Sequence, residues 1–116
     1  MTVLEFAKEM NMTVKTGSKG TDKEITGIYT GDLLSFVMSN AGVGNAWITV
    51  LTNLNIVAVA VLAGISCIVI PQNIFVEEQT LKKAESEGIP ILCTGMDTYE
   101  ICWRTHRLME PGKGIQ

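Results

Sequence analysis

This 116-residue chain has few of the groups that metal, redox or nucleic-acid chemistry requires. It has one histidine, His106, and three cysteines, Cys67, Cys93 and Cys102, at wide spacing with no C-x-x-C pair. A zinc or iron–sulfur site therefore has no ligand set, and no cofactor is implied. The odd, scattered thiols fit a reduced, cytoplasmic protein, with Cys67 and Cys93 as small hydrophobes inside apolar strands. No basic cluster stands out and the net charge is −3, which argues against a nucleic-acid partner, since such binding is built on neutralising phosphates. No signal peptide is expected, because Glu5 sits in the first turn and no apolar h-region follows. Repeats and low-complexity tracts are absent.

Charge is scarce overall, at 18% of residues, and absent between Asp32 and Glu77. That gap raises a membrane span as a rival reading. A bilayer needs roughly 20 consecutive apolar residues. The longest clean run, Ile56–Ile70, is shorter, is interrupted by Gly64 and Ser66, and lacks Lys/Arg flanks. No membrane partner is expected. The same run reads better as part of a buried strand–helix–strand unit. Ala46–Leu51 is a β-branched and aromatic strand, Thr52-Asn53-Leu54-Asn55 a polar turn with two cap candidates, and Ile56–Ala63 a helix apolar on every face. Gly64 ends that helix, and Ser66–Ile70 is a second strand before Pro71.

The rest of the chain alternates in the same way. Thr2 and Glu5 have capping-box spacing ahead of a helix with Val3, Phe6, Ala7 and Met10 on one face, and Asn11 ends it. Met12–Thr16 is a short strand, and Gly17–Lys23 a glycine-bearing polar loop expected to be the most mobile internal segment. The G-x-x-x-x-G-K-[ST] phosphate loop is missing there. Strand Glu24–Tyr29 leads through Thr30-Gly31-Asp32 into a helix to Asn40, with Asp32 as its cap and Leu33, Phe36 and Val37 facing inward. Glu77–Glu87 is an amphipathic helix with a Glu78–Lys82 pair and Gly88 just past its end, and Pro90–Cys93 is the last strand. Asp97 caps the final helix, which carries Arg104, His106 and Arg107 near its C-terminus. Met109–Gln116 reads as a flexible tail, leaving residues 1–108 as one α/β domain. Its expected form is a mainly parallel sheet with helices on both faces.

In an open parallel sheet, ligands bind beyond the carboxyl ends of the strands. Four polar turns lie there: Thr30-Gly31-Asp32, Thr52-Asn53-Leu54-Asn55, Pro71-Gln72-Asn73 and Thr94-Gly95-Met96-Asp97-Thr98. Their helix-entry N–H groups suit an anion, so Thr30, Gly31, Asp32, Thr52, Asn53, Asn55, Thr94, Gly95, Asp97 and Thr98 are the candidate ligand-binding residues. Ordinary helix capping accounts for each of them taken singly. Asp32 and Asp97 are the one carboxylate pair on which an enzyme reading rests. Cys102 lacks a visible base, and Tyr99 and Trp103 share a helix face at i,i+4.

The segment from Gly27 to Ile70, with Gly88-Ile-Pro-Ile-Leu and Asp97-Thr-Tyr-Glu, resembles the DRTGG domain family over nearly the whole chain. That family is related to the N-terminal domain of HPr kinase/phosphorylase and to inserts in phosphotransacetylases and regulated family II pyrophosphatases. Asp32-Leu-Leu-Ser, Trp47-Ile-Thr and Asn55-Ile-Val-Ala-Val-Ala are similar to small stand-alone proteins encoded near iron-only hydrogenases and sensor kinases in anaerobic bacteria. Two departures stand out. Asn53-Leu54 replaces the signature Asp-Arg, and Pro71-Gln72-Asn73 replaces Thr-Gly-Gly. The resemblance implies a non-catalytic regulatory or scaffolding module with a partner in a hydrogenase or signalling system. A small phosphoryl-transfer or hydrolytic enzyme, or an adaptor without ligand, is the alternative. The apolar excess of the middle segment points to a homodimer.

Overall fold

The computed structural model describes residues 1–110. Ten elements alternate: α1 (Val3–Glu9), β1 (Thr13–Val14), β2 (Gly27–Thr30), α2 (Leu34–Asn40), β3 (Asn45–Ile48), α3 (Asn55–Ala63), β4 (Cys67–Ile70), α4 (Glu78–Glu87), β5 (Ile91–Cys93) and α5 (Thr98–Leu108). The strands form one sheet in the order β1-β5-β4-β3-β2. β2 to β5 run parallel, and β1 joins the β5 edge antiparallel, Thr13 opposite Cys93 and Val14 opposite Leu92.

Strand alternation divides the core into two layers. Trp47, Ile68, Ile70 and Ile91 point to one face and meet Val37 of α2, Ile56, Val57 and Ala60 of α3 and Ala84 of α4. Ala46, Ile48, Cys67, Val69 and Leu92 point to the other and meet Val3, Phe6 and Ala7 of α1 and Ile101 of α5. The three crossovers from β2 to β5 advance in one direction, so the same handedness puts α2, α3 and α4 on a single face. After β5 the chain passes to the opposite side, into α5, which joins α1 there.

Local chemistry sets the helix ends. Thr2 and Glu5 form the reciprocal capping box, Thr2 N donating to Glu5 Oε1 at 2.8 Å and Glu5 N to Thr2 Oγ1 at 3.2 Å. Asp97 Oδ1 accepts from Glu100 N at 2.8 Å. Gly64 (φ 72°) and Gly88 (φ 73°) end α3 and α4 in the left-handed conformation that glycine enters without strain. No helix among the described residues is long and apolar enough to cross a membrane.

Several expectations are corrected. Asp32 does not cap α2. Leu33 holds the cap position without a side-chain bond, and the helix is rotated so that Leu34, Val37 and Ala41 pack inward while Leu33 and Phe36 are exposed. Lys83 and Glu87, at 3.3 Å, form the ion pair of α4 in place of Glu78 and Lys82. Cys93 is only half-buried, because it lies next to the short β1 edge. The Gly17–Lys23 loop is tied down: Gly17 N donates to Glu85 Oε1 at 3.1 Å, Lys19 Nζ to the Ser86 carbonyl at 2.8 Å, and Lys23 O accepts from Val3 N at 2.9 Å. Gly20 (φ 88°) packs so closely on Gly88 that a Cβ would lie 2.1 Å from its carbonyl oxygen. Of the expected tail, Met109 caps α5 and Glu110 Oε2 lies 2.6 Å from His106 Nε2; residues 111–116 lie outside the described residues.

Candidate functional site

The parallel strands bring all four polar turns to one edge of the sheet, and hydrogen bonds tie each to a neighbouring element. Asp32 Oδ1 accepts from Thr49 Oγ1 at 2.7 Å and Val50 N at 2.9 Å, so the carboxylate joins the ends of β2 and β3. Beneath it the buried Trp47 donates Nε1 to the Gly31 carbonyl at 2.8 Å, and Gly31 N bonds Ile48 O. Thr30 is exposed beside them. A carboxylate holding two donors across strand ends is committed to structure and is poorly placed as a general acid or base.

At the next turn the Thr52 carbonyl accepts from the buried Thr80 hydroxyl of α4 at 2.8 Å. Asn53 Oδ1 accepts from Asn55 N at 2.9 Å, closing the turn that starts α3. The Asn55 side chain is exposed and makes no hydrogen bond among the described residues. Of the two asparagines, one serves the helix and the other is free.

The ends of β4 and β5 differ from the rest because their loops leave toward opposite faces, β4 to α4 and β5 to α5. That divergence is where an open α/β sheet forms a crevice. Here two main-chain bonds draw the loops together, Gln72 N to Met96 O and Asn73 N to Thr94 O, both 2.9 Å. Gln72 (φ 57°) and Asn73 (φ 56°) are both left-handed, the region glycines enter freely, at the positions where the family signature has Gly-Gly. The buried Thr94 turns its hydroxyl to Met96 N at 3.2 Å, and Gly95 lies against Asn73, where a Cβ would be 3.1 Å from Nδ2. Clefts flank this junction on both faces. One of about 370 Å³ is lined by Asn11, Thr94, Gly95, Glu100 and Arg104. The other, also about 370 Å³, is lined by Lys15, Asn73, Phe75, Glu78 and Cys93.

The predicted residues thus share an edge but not a pocket. Thr30–Asp32 and Thr94–Thr98 are three strand spacings apart, roughly 14 Å. Asp32 and Asp97 do not form a pair. Sequence reasoning missed Asn11, Glu100 and Arg104 as cleft walls. The i,i+4 spacing of Glu100 and Arg104, which bond at 2.9 Å, was the one legible sign of a fixed guanidinium. Burial raises all three thiols, Cys67 to about 12. Among the described residues no three His, Cys, Asp or Glu side chains are grouped to hold a metal ion.

A family model described as the DRTGG domain matches residues 5–108. No curated protein matches the chain significantly. Among solved structures, the chain is similar to the regulatory region of Clostridium perfringens pyrophosphatase, which comprises CBS and DRTGG domains and was crystallised with its activator, diadenosine tetraphosphate. The TM-score is 0.65 and the identity 10%, over 86% of this chain and 44% of that one. The chain thus spans under half of that region, and the likeness is one of fold.

Proposed function

Because the chain belongs to the DRTGG domain family, we propose that it is a non-catalytic regulatory module, a cytoplasmic homodimer that senses a small anionic ligand at the strand-end turns. The observation that carries this reading is the divergence of the chain after β4 and β5. Thr94 and Gly95 line the cleft on the α5 side of that divergence, with Asp97 and Thr98 following at the entrance to α5. The regulatory region of similar fold responds to an anionic activator, which favours sensing over a bare adaptor. Asn55, free of structural duty, extends the site toward β3.

The dimer reading has its own support. Leu33, Phe36, Val43, Val61 and Leu62 are exposed on or beside α2 and α3, and no charged residue lies between Asp32 and Glu77. An uncharged apolar patch meets a copy of itself without repulsion, as an isologous contact requires. The resemblance to stand-alone proteins supports, for the signal's receiver, a protein partner in a hydrogenase or signalling system.

A thermal-shift screen against nucleotides, inorganic phosphates and anionic metabolites tests the sensing. A ligand at 100 times its Kd adds about 2.7 kcal/mol of stability, a rise of roughly 10 °C for a domain of this size. Silence across the panel refutes sensing and leaves an adaptor.

A further inference from the structure

The end of α1 and the outward side of α5 enclose a groove on the face opposite α2–α4. A cleft of about 460 Å³ there is lined by Glu9, Asn11, Trp103, Arg104 and Arg107. It shares Asn11 and Arg104 with the cleft at Thr94 and Gly95, so the two adjoin. Volumes of this order suit a small organic ligand.

The walls carry three kinds of group. Arg104 is paired: its Nε donates to Glu100 Oε2 at 2.9 Å, its Nη2 lies 2.9 Å from the same oxygen, and its guanidinium carbon lies 4.9 Å from the centre of the Trp103 ring. Arg107, one turn further along, has no ion-pair or hydrogen-bond partner among the described residues. Trp103 is 38% exposed, whereas the other tryptophan, Trp47, is fully buried. Glu9 stands on the α1 side as an acceptor.

The geometry points to a binding site, in this groove between α1 and α5, for a ligand that joins one anionic group to a flat ring, the class of a nucleoside monophosphate. The unpartnered Arg107 takes the anion, with Arg104 beside it. The indole offers its open surface to the ring, since aromatic faces accept any base. Glu9 accepts from hydroxyl or amino donors and repels a second or third phosphate, while Glu100 already offsets the charge of Arg104. Both conditions favour one anionic group over a polyphosphate. The helical walls have their main-chain groups bonded internally, so they offer no ladder to an extended peptide. The inference rests on the sensing reading in one respect, that the groove opens at the Thr94–Met96 end.

The test is a titration of the whole chain with adenosine monophosphate, read by tryptophan emission and by calorimetry. Trp103 is the exposed fluorophore, so saturable quenching of the solvent-exposed component is expected, with the Trp47 component unchanged. Arg107→Gln is expected to raise the Kd about tenfold or more through loss of a charge-assisted bond, and Trp103→Leu about tenfold through loss of stacking. Adenosine and ribose 5-phosphate, each lacking one half of the ligand, should bind at least about tenfold more weakly. Absence of saturable binding at millimolar nucleotide, or an unchanged Kd in both variants, overturns the groove. A stabilising ligand from the wider panel that binds both variants normally overturns the groove while leaving sensing intact. A silent panel removes the sensing reading itself.

Discussion

Cys67 makes stability fall with alkaline pH in a way that one substitution can isolate. Its thiol is fully buried on the α1–α5 side of β4, and desolvation pushes its pKa from 9.0 up to about 12. Above pH 9.0 the unfolded chain releases this proton while the folded chain keeps it. The folded state then binds more protons, so stability falls from pH 9.0 toward pH 12 and is unaffected below. Each pH unit in that window costs about 1.4 kcal/mol, so at about pH 10.5 the loss reaches about 2 kcal/mol. Lys23 works in the opposite sense, because burial lowers its pKa and stability rises as the pH passes from its folded to its unfolded value. The burial of Lys23 is common to the wild type and Cys67→Ala, so the difference between the two reports the thiol together with its coupling to Lys23. Urea unfolding under reducing conditions is the assay. Cys67→Ala is less stable near neutrality, having lost a packed sulfur, and the gap should close by about 2 kcal/mol between about pH 7.5 and pH 10.5. A gap that stays constant over that range refutes the assignment.

Three further outcomes are expected. Asn53→Ala should lower stability by about 1 kcal/mol by removing the acceptor at the start of α3, and Asn55→Ala should leave it nearly unchanged; denaturant midpoints of the pair decide it. Gln72→Gly should raise stability by about 0.5–1 kcal/mol because it relieves a left-handed residue, and a lower melting temperature would contradict that. Leu62→Glu should convert the proposed homodimer to a folded monomer, seen by light scattering at micromolar concentration with an unchanged circular dichroism spectrum. A wild type already monomeric at that concentration, or a charged variant that still dimerises, would rule out this face.

Local signals were the readable ones. The Thr2–Glu5 box, the Asp97 cap and the left-handed stops at Gly64 and Gly88 depend on residues a few positions apart, and the strands around Trp47 and Ile68 announce themselves as buried runs without alternation. Asp32 misled because an aspartate after a strand can equally cap the next helix or hold the adjacent strand's end; only the presence of Thr49 and Val50 decides. The loop at Gly17–Lys23 looked mobile because its partners, Glu85, Ser86 and Gly88, lie about seventy residues away. For the same reason the groove between α1 and α5 had no signature beyond the Glu100–Arg104 spacing within α5. Their residues meet only after the sheet has been wound.

The antiparallel edge strand has a consequence for the order of assembly. β2 to β5 can be laid down one after another, each crossover docking on the strand just placed. β1 instead pairs with β5, Thr13 with Cys93, across most of the chain. During synthesis the N-terminal arm therefore emerges first yet waits until nearly everything else has been made before its partner exists. Once β5 exists, and until β1 docks, the main-chain groups of β5 are open along one side, and a neighbouring molecule's arm fits them as well as the chain's own. The fold thus carries a short period of vulnerability to strand exchange, which crowded ribosomes lengthen and dilution removes.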